Sequence, residues 1–312
     1  MYDPSKPYKH EIIKLIQSTW RTPYVTVENG IYPILRKKFS RAEVVHADGI
    51  GTKGHYHSKK KTYKNAAVDA LAMNLNDLAL LGAVPYALVD HIVTPDEGGE
   101  SVLEIVRALA AECKKRKIAI VGGETSHHDN VDGVDVSVVV LGFLKKKRKN
   151  ELKPGDVLVD FKSSGLHANG FTKVRAMFGK GEWRDEFVAP TAIYLDQVLA
   201  ILERFEVHGM MHITGGAFTK LKDILKNANA YIQAPPALRP QPIFHELYER
   251  GVSSREMYST FNCGIGFVLG MSEKDAEKVV KKYKNAGIIG RVEEGSGAVE
   301  VTSAFDGATV RY

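Results

Sequence analysis

Short apolar runs and longer amphipathic ones alternate along this 312-residue chain, and the pattern is broken at Lys145-Lys-Lys-Arg-Lys-Asn150. Apolar residues recurring every three to four positions close a helix face, and compact β-branched runs bounded by turn residues close a strand. Before the break this predicts helices over 10–20, 62–82 and 101–115. It predicts strands over 24–35 (turning at Asn29-Gly30), 43–47, 86–93, 118–121 and 134–144. After the break it predicts strands over 157–161, 210–214, 230–234, 264–269, 287–292 and 299–301. Helices are expected over 170–178, 189–204, 218–227, 241–250 and 272–286, the last opening at Ser272. Helix and strand mix throughout both halves, so the fold class is α/β (α+β), with two mixed domains, 1–150 and 151–312. The basic run reads as a solvated loop between them, because no aromatic residue is interleaved to stack a base.

Composition narrows the function. A net charge of +6 suits anionic substrates and does not demand nucleic acid. Two cysteines without CxxC spacing argue against a disulfide framework or a zinc site. They favour a reducing compartment, hence the cytoplasm. No run of about 18 apolar residues is present to span a membrane. The polar stretch 1–7 carries no apolar signal region.

The chemistry is concentrated in a few glycine-bearing segments. Val44-Val45 leads into His46-Ala-Asp-Gly-Ile-Gly-Thr-Lys53, where Asp48 can hold a metal. Gly49 and Gly51 let a phosphate approach, beside the hydroxyl of Thr52, and Lys53 can neutralise that phosphate. Asn74 and Asp77 share a face of the helix over 62–82. A carboxylate among packing residues there implies a metal or a hydrogen-bonded cap. Gly122-Gly123-Glu124-Thr125 follows a strand and reads either as a turn or as a close backbone approach with an acceptor. His127, His128 and Asp129 read as a polar loop.

In the second half, Ser163-Ser164-Gly165-Leu166-His167-Ala168-Asn169-Gly170 lies between a strand and a helix, a natural anion site. His212-Ile213-Thr214-Gly215-Gly216 forms another strand-to-helix junction. Its histidine can exchange a proton near neutrality or be structural. Phe261-Asn-Cys-Gly-Ile-Gly266 suits a domain contact as well as a ligand.

These segments, in this order and together with Asn76-Asp-Leu78, Gly82-Ala83, Pro85 and Pro154-Gly-Asp156, resemble the aminoimidazole ribonucleotide synthetase family, the phosphoribosylformylglycinamidine cyclo-ligases. The resemblance spans residues ~44 to ~295. It implies use of ATP and Mg²⁺ to close formylglycinamidine ribonucleotide into aminoimidazole ribonucleotide. It also implies a homodimer whose N-terminal sheets join, with the C-terminal sheet packed by helices. On this reading Asp48, Asp77 and Glu124 are the metal ligands. Gly49, Gly51, Thr52, Lys53, Asn74, Gly123 and Thr125 hold the nucleotide. Ser163, Ser164, Gly165, His167, Asn169, Gly170, Thr214 and Gly215 hold the substrate, and Lys53 and His212 are catalytic. Two departures stand out: residues 20–45 contain only Gly30 where the family has a glycine-rich segment, and Ser126-His-His-Asp-Asn130 replaces its Ala-Glu-Met-Pro-Gly type stretch. An ATP-dependent relative with another small substrate, or a silent nucleotide-binding paralogue, are the alternatives.

Overall fold

The computed structural model of the chain describes residues 8–95, 99–179, 181–233 and 239–312. They divide into two compact units, 1–146 and 147–312, each with its own sheet. The polar stretch 1–7 and Ala234, the end of one predicted strand, lie outside the described residues.

The first unit opens with α1 (Lys9–Gln17), which buries Ile12 and Ile16. β1 (Val25–Glu28) and β2 (Ile34–Lys37) form the hairpin expected around Asn29-Gly30. The main sheet has the order β3 (Glu43–Gly49), β6 (Asp135–Leu144), β4 (Ala83–Thr94) and β5 (Ala119–His127). Its β4–β5 pair is parallel and the others antiparallel. One face is covered by α3 (Tyr63–Ala79) and α4 (Gly99–Arg116). The small residues Ala66, Ala67, Ala70, Ala72 and Ala79 of α3 are fully buried, which lets the helix lie close to its neighbours. On the other face the alternate residues stay open: Val45 is 64% exposed, and Val139, Leu141 and Val89 are half-buried.

Two expectations change here. Lys53–Lys60 is a helix, α2, although its Gly-His-Tyr-His composition shows no apolar period. The close approach at Gly54 explains its site: an added Cβ there would sit 1.8 Å from the Val134 carbonyl. Gly122 to Thr125 is strand, not turn. β5 is held in parallel register by β4 (Asp90↔Gly123, Thr94↔His127), and a paired neighbour overrides the weak strand preference of glycine.

The second unit carries a seven-stranded sheet in the order β13-β12-β9-β11-β7-β10-β8, antiparallel except for β12–β9. The strands are β7 (Val157–Lys162), β8 (Val207–His212), β9 (Ala228–Ile232), β10 (Ile265–Met271), β11 (Ala286–Glu294), β12 (Val299–Thr302) and β13 (Thr309–Arg311). The helices are α5 (Phe171–Phe178), α6 (Leu195–Leu202), α7 (Pro242–Glu249), α8 (Ser254–Thr260) and α9 (Glu273–Lys282). Ser272 caps α9 by accepting from the Asp275 amide at 3.3 Å, as its position suggests. The expected helix over 189–204 begins only at Leu195, after Pro190. The segment over 218–227 is a 3₁₀ turn, Ala217–Ile224. The short α8, capped by Ser253, was not foreseen.

Candidate functional site

In the first unit the predicted residues gather on β3 and α3. Asn74 is the hub. Its Nδ2 donates to the Asp48 carbonyl at 3.1 Å and to the Ala70 carbonyl at 2.9 Å. Those bonds turn its Oδ1 toward His46 Nδ1, 2.9 Å away, while His46 Nε2 meets Asp77 Oδ2 at 3.2 Å. Both ring nitrogens of His46 thus face acceptors, an arrangement the imidazolium satisfies and either neutral tautomer does not. The Asp77 hydrogen bond accordingly raises the His46 pKa against the opposing effect of burial. The Asp48 carboxylate accepts from the Gly49 amide at 2.7 Å. Gly51 turns through a left-handed conformation (φ 51°) just before Thr52.

Two expected members sit elsewhere. The side chain of Lys53 is 0% exposed and pairs with both Asp69 oxygens, at 3.0 and 2.9 Å. It faces the interior, so in this arrangement it does not reach a phosphate at the loop. Asp69 also accepts from His57 Nε2 at 2.8 Å, and His57 Nδ1 lies 2.9 Å from the Thr62 hydroxyl. Burial pulls the pKa of both Lys53 and His57 down, opposed by Asp69. Glu124 is the second. The register row Gly49–Ser137–His91–Glu124 crosses the whole sheet, from one edge strand to the other. Three strand spacings separate its ends, roughly 14 Å. One ion therefore cannot be shared by Asp48 and Glu124 of the same chain, and no cluster of three His, Cys, Asp or Glu side chains suited to a metal occurs among the described residues.

Gly123 lines a cleft of about 340 Å³, with Ile13 and Ile16 of α1, Trp20 just after it and Tyr32 of the hairpin. The Trp20 indole donates to the Ile120 carbonyl at 2.7 Å, which fixes that wall. Thr125, two residues on, has a buried hydroxyl with no hydrogen-bond partner.

In the second unit the sheet order does the assembling. β7, β10 and β8 are antiparallel neighbours, so the loops after β7 and β8 and the one before β10 meet at one edge. His167 Nδ1 lies 3.1 Å from the Ile213 carbonyl, and Asn169 Nδ2 donates to Thr214 Oγ1 at 2.7 Å. Asn262 Nδ2 donates to the Gly165 carbonyl at 2.8 Å, while its Oδ1 accepts from the Gly264 amide at 2.9 Å. Ser164 donates to the Pro190 carbonyl at 2.7 Å. Gly170 begins α5 in a left-handed conformation (φ 86°), with the Phe261 ring where a side chain would go. Gly215 packs on the Asn169 amide. His212 is 1% exposed, within 5.3 Å of the His167 ring and stacked on Phe267 at 6.2 Å. The loops therefore bring together Ser163, Gly165, His167, Asn169, Thr214 and Asn262, with His212 beneath them.

Several contributors were not singled out from the sequence. Gln241 donates to the Ser163 carbonyl at 2.7 Å and to its hydroxyl at 3.3 Å. Asp160, buried in β7, accepts from the Gly266 and Phe267 amides at 2.9 and 3.1 Å, where β10 shifts register. Its other oxygen has no partner, and burial holds the carboxyl well above the usual carboxylate range. A lone acid in the apolar run Val157–Phe161 was the available signal. Gln241 offered none, because its partner lies 78 residues away.

Comparison with known proteins covers both units. Residues 32–144 match the family described as AIR synthase related protein, N-terminal domain, and residues 153–302 its C-terminal domain. A protein of Saccharolobus solfataricus named phosphoribosylformylglycinamidine cyclo-ligase is 35% identical over 300 residues, 93% of this chain and 90% of the relative. One of the same name from Methanocaldococcus jannaschii is 37% identical over 273 residues, covering 80% and 77%. Among solved structures, the hydrogenase maturation protein HypE in complex with ATP superposes with a TM-score of 0.69 at 15% identity, covering 99% of this chain and 95% of that one. At that identity the likeness establishes the fold alone, a mixed α/β architecture.

Proposed function

The chain belongs to the phosphoribosylformylglycinamidine cyclo-ligase family, and on that premise we propose that it closes formylglycinamidine ribonucleotide into aminoimidazole ribonucleotide at the expense of ATP. The observation that carries this reading is the 35% identity with the S. solfataricus relative over 93% of the chain, which takes in both units.

The substrate amide oxygen attacks the γ-phosphorus of ATP and ADP leaves. The amidine nitrogen then attacks the activated carbon, forming the ring C–N bond and expelling phosphate. Such chemistry asks the protein mainly for positioning and charge compensation. Asp48 and Asp77 are oxygen donors linked through Asn74 and His46, and both are only partly buried. That donor set suits Mg²⁺, which prefers oxygen ligands and retains waters. The ion would supply charge neutralisation on the phosphates. The cleft walled by Trp20, Tyr32 and Gly123 is assigned to the nucleotide, because flat aromatic and peptide surfaces suit a base. The loop Ser163–Gly170 is assigned to the ribonucleotide phosphate, with Thr214 and Gly215 beside it. His212, buried under these loops, orients the substrate or handles its proton.

A second copy of the chain is assigned to the open face of the four-stranded sheet. The row Ala47–Val139–Val89 and the exposed Val45 leave apolar surface there that a homodimer would cover. Among the described residues no helix is long and apolar enough to cross a membrane, and the buried free thiols Cys113 and Cys263 suit the cytoplasm.

The test is turnover with formylglycinamidine ribonucleotide, ATP and Mg²⁺. Phosphate and ADP should appear in equal amounts with the aminoimidazole product, and only when the ribonucleotide is present. ATP consumption indifferent to the ribonucleotide would refute the reading.

A further inference from the structure

Three ionisable side chains of the first unit, Lys53, His57 and Asp69, are each 0% exposed and joined to one another. Lys53 opens α2 directly after the Asp48–Thr52 segment, the end of β3 and the turn that follows it. Asp69 lies midway along α3, five residues before Asn74 and eight before Asp77. His57 extends the pair toward Thr62, the residue just before α3, across the left-handed turn at Lys61 (φ 53°). An isolated buried ion pair gains little stability over apolar residues of the same volume, because desolvation offsets the attraction. Its directional bonds do fix one arrangement of the elements it joins. The elements joined here carry the two carboxylates assigned to the metal.

We propose that Lys53 is a positioning residue which, through Asp69, holds the Asp48–Thr52 loop in register with the Asn74–Asp77 face of α3, and that it does not itself bind phosphate. This rests on the reading of Asp48 and Asp77 given above. Lys53 acts on the ligand only by fixing where Asp48 lies.

A double-mutant cycle separates the two roles. Lys53→Met and Asp69→Asn are made singly and together, and His57 keeps an acceptor at position 69 in every case. For each, turnover, the calorimetric dissociation constant of Mg·ADP and the thermal midpoint are measured. Positioning predicts that Lys53→Met, Asp69→Asn and the double variant all lower kcat and weaken Mg·ADP by a similar factor, about tenfold or more, because each removes the same bond. A phosphate contact predicts a different pattern: Lys53→Met weakens Mg·ADP, Asp69→Asn does not, and the double variant stays as weak as Lys53→Met. That result overturns the proposal, as do three variants all near wild type. If the single variants do not fold, Asp69→Glu decides, because it keeps the charge and displaces the bond: weakened Mg·ADP binding supports positioning, and unchanged binding refutes it. Mg·ADP binding needs no ribonucleotide, so an inactive wild type would sink the assigned reaction and leave this cycle readable.

Discussion

Asn262 ties two of the three loops at the edge of the second sheet, and its removal has a cost that follows from the geometry. The residue is 3% exposed. Asn262→Ala leaves the Gly165 carbonyl without its donor and the Gly264 amide without its acceptor, both in buried surroundings. An unsatisfied buried group costs about 1–3 kcal/mol, so the pair amounts to about 2–6 kcal/mol. For a unit of this size each kcal/mol moves the midpoint by about 2–4 °C, which places the loss at about 4–24 °C. Scanning calorimetry reads it directly. Asn262→Asp sharpens the test. It keeps the acceptor for Gly264 but sets a carboxylate against the Gly165 carbonyl, so it should be at least as damaging at neutral pH and recover as acid protonates it. The KM for the ribonucleotide should rise more than that for ATP, because Gly165 lies in the loop assigned to the ribonucleotide phosphate. A loss below about 0.6 kcal/mol for Asn262→Ala would mean the two backbone groups find other partners, and the coupling of the loops through this side chain would fall.

Gly170→Ala should destabilise more than Gly155→Ala in the same scan. Both positions have φ near +90°, a strain of about 1–2 kcal/mol for a residue with a Cβ, but only at Gly170 does the new carbon meet Phe261, 2.6 Å away. Equal losses would show that the ring moves aside freely. Asp160→Asn should alter the pH dependence of stability. The folded-state pKa of Asp160 is raised by burial, so its contribution is fully present below the unfolded value near 3.9 and is lost as pH rises toward the folded value. The variant should therefore gain on wild type as pH climbs from about 4 to 7, and parallel curves would show that the carboxyl stays ionised in the folded protein.

Much of the fold was legible because local rules and tertiary structure agree. The hairpin at Asn29-Gly30, the cap at Ser272 and the apolar strands 134–144 and 157–161 sit where turn chemistry and periodicity put them. The failures are places where a neighbour decides. Gly122 to Thr125 reads as a turn by composition, yet the long strand β4 offers it a parallel partner and it extends as β5. Lys53–Lys60 has no apolar face to announce a helix. It is anchored by Gly54 against Val134 and by the buried Lys53, Tyr56 and His57.

The candidate site divides along the same line. Residues whose chemistry is local to a motif, such as Asn169 beside Gly170 or Thr214 beside Gly215, were visible, because glycines and hydroxyls at a strand end have few other uses. Pairings across long sequence separations were not. Gly165 needs Asn262, 97 positions later, and Ser163 needs Gln241. Lys53 was visible, but the carboxylate it meets was not. A lysine after glycines in a loop suggests a phosphate, and nothing in the chain order marks Asp69, 16 residues on in a helix of alanines and leucines, as the carboxylate it meets. Sequence spacing limits which groups can be local partners. Which of two possible partners a buried charge takes is set by desolvation, and that is decided only when the helices pack. The lysine's length favours the interior here: its stem spans from the first turn of α2 to mid-α3, and the ammonium arrives between two carboxylate oxygens at 2.9 and 3.0 Å. A carboxylate buried at that depth without a cation would carry a penalty of several kcal/mol, so Asp69 and Lys53 require each other whatever ligand the loop above them holds.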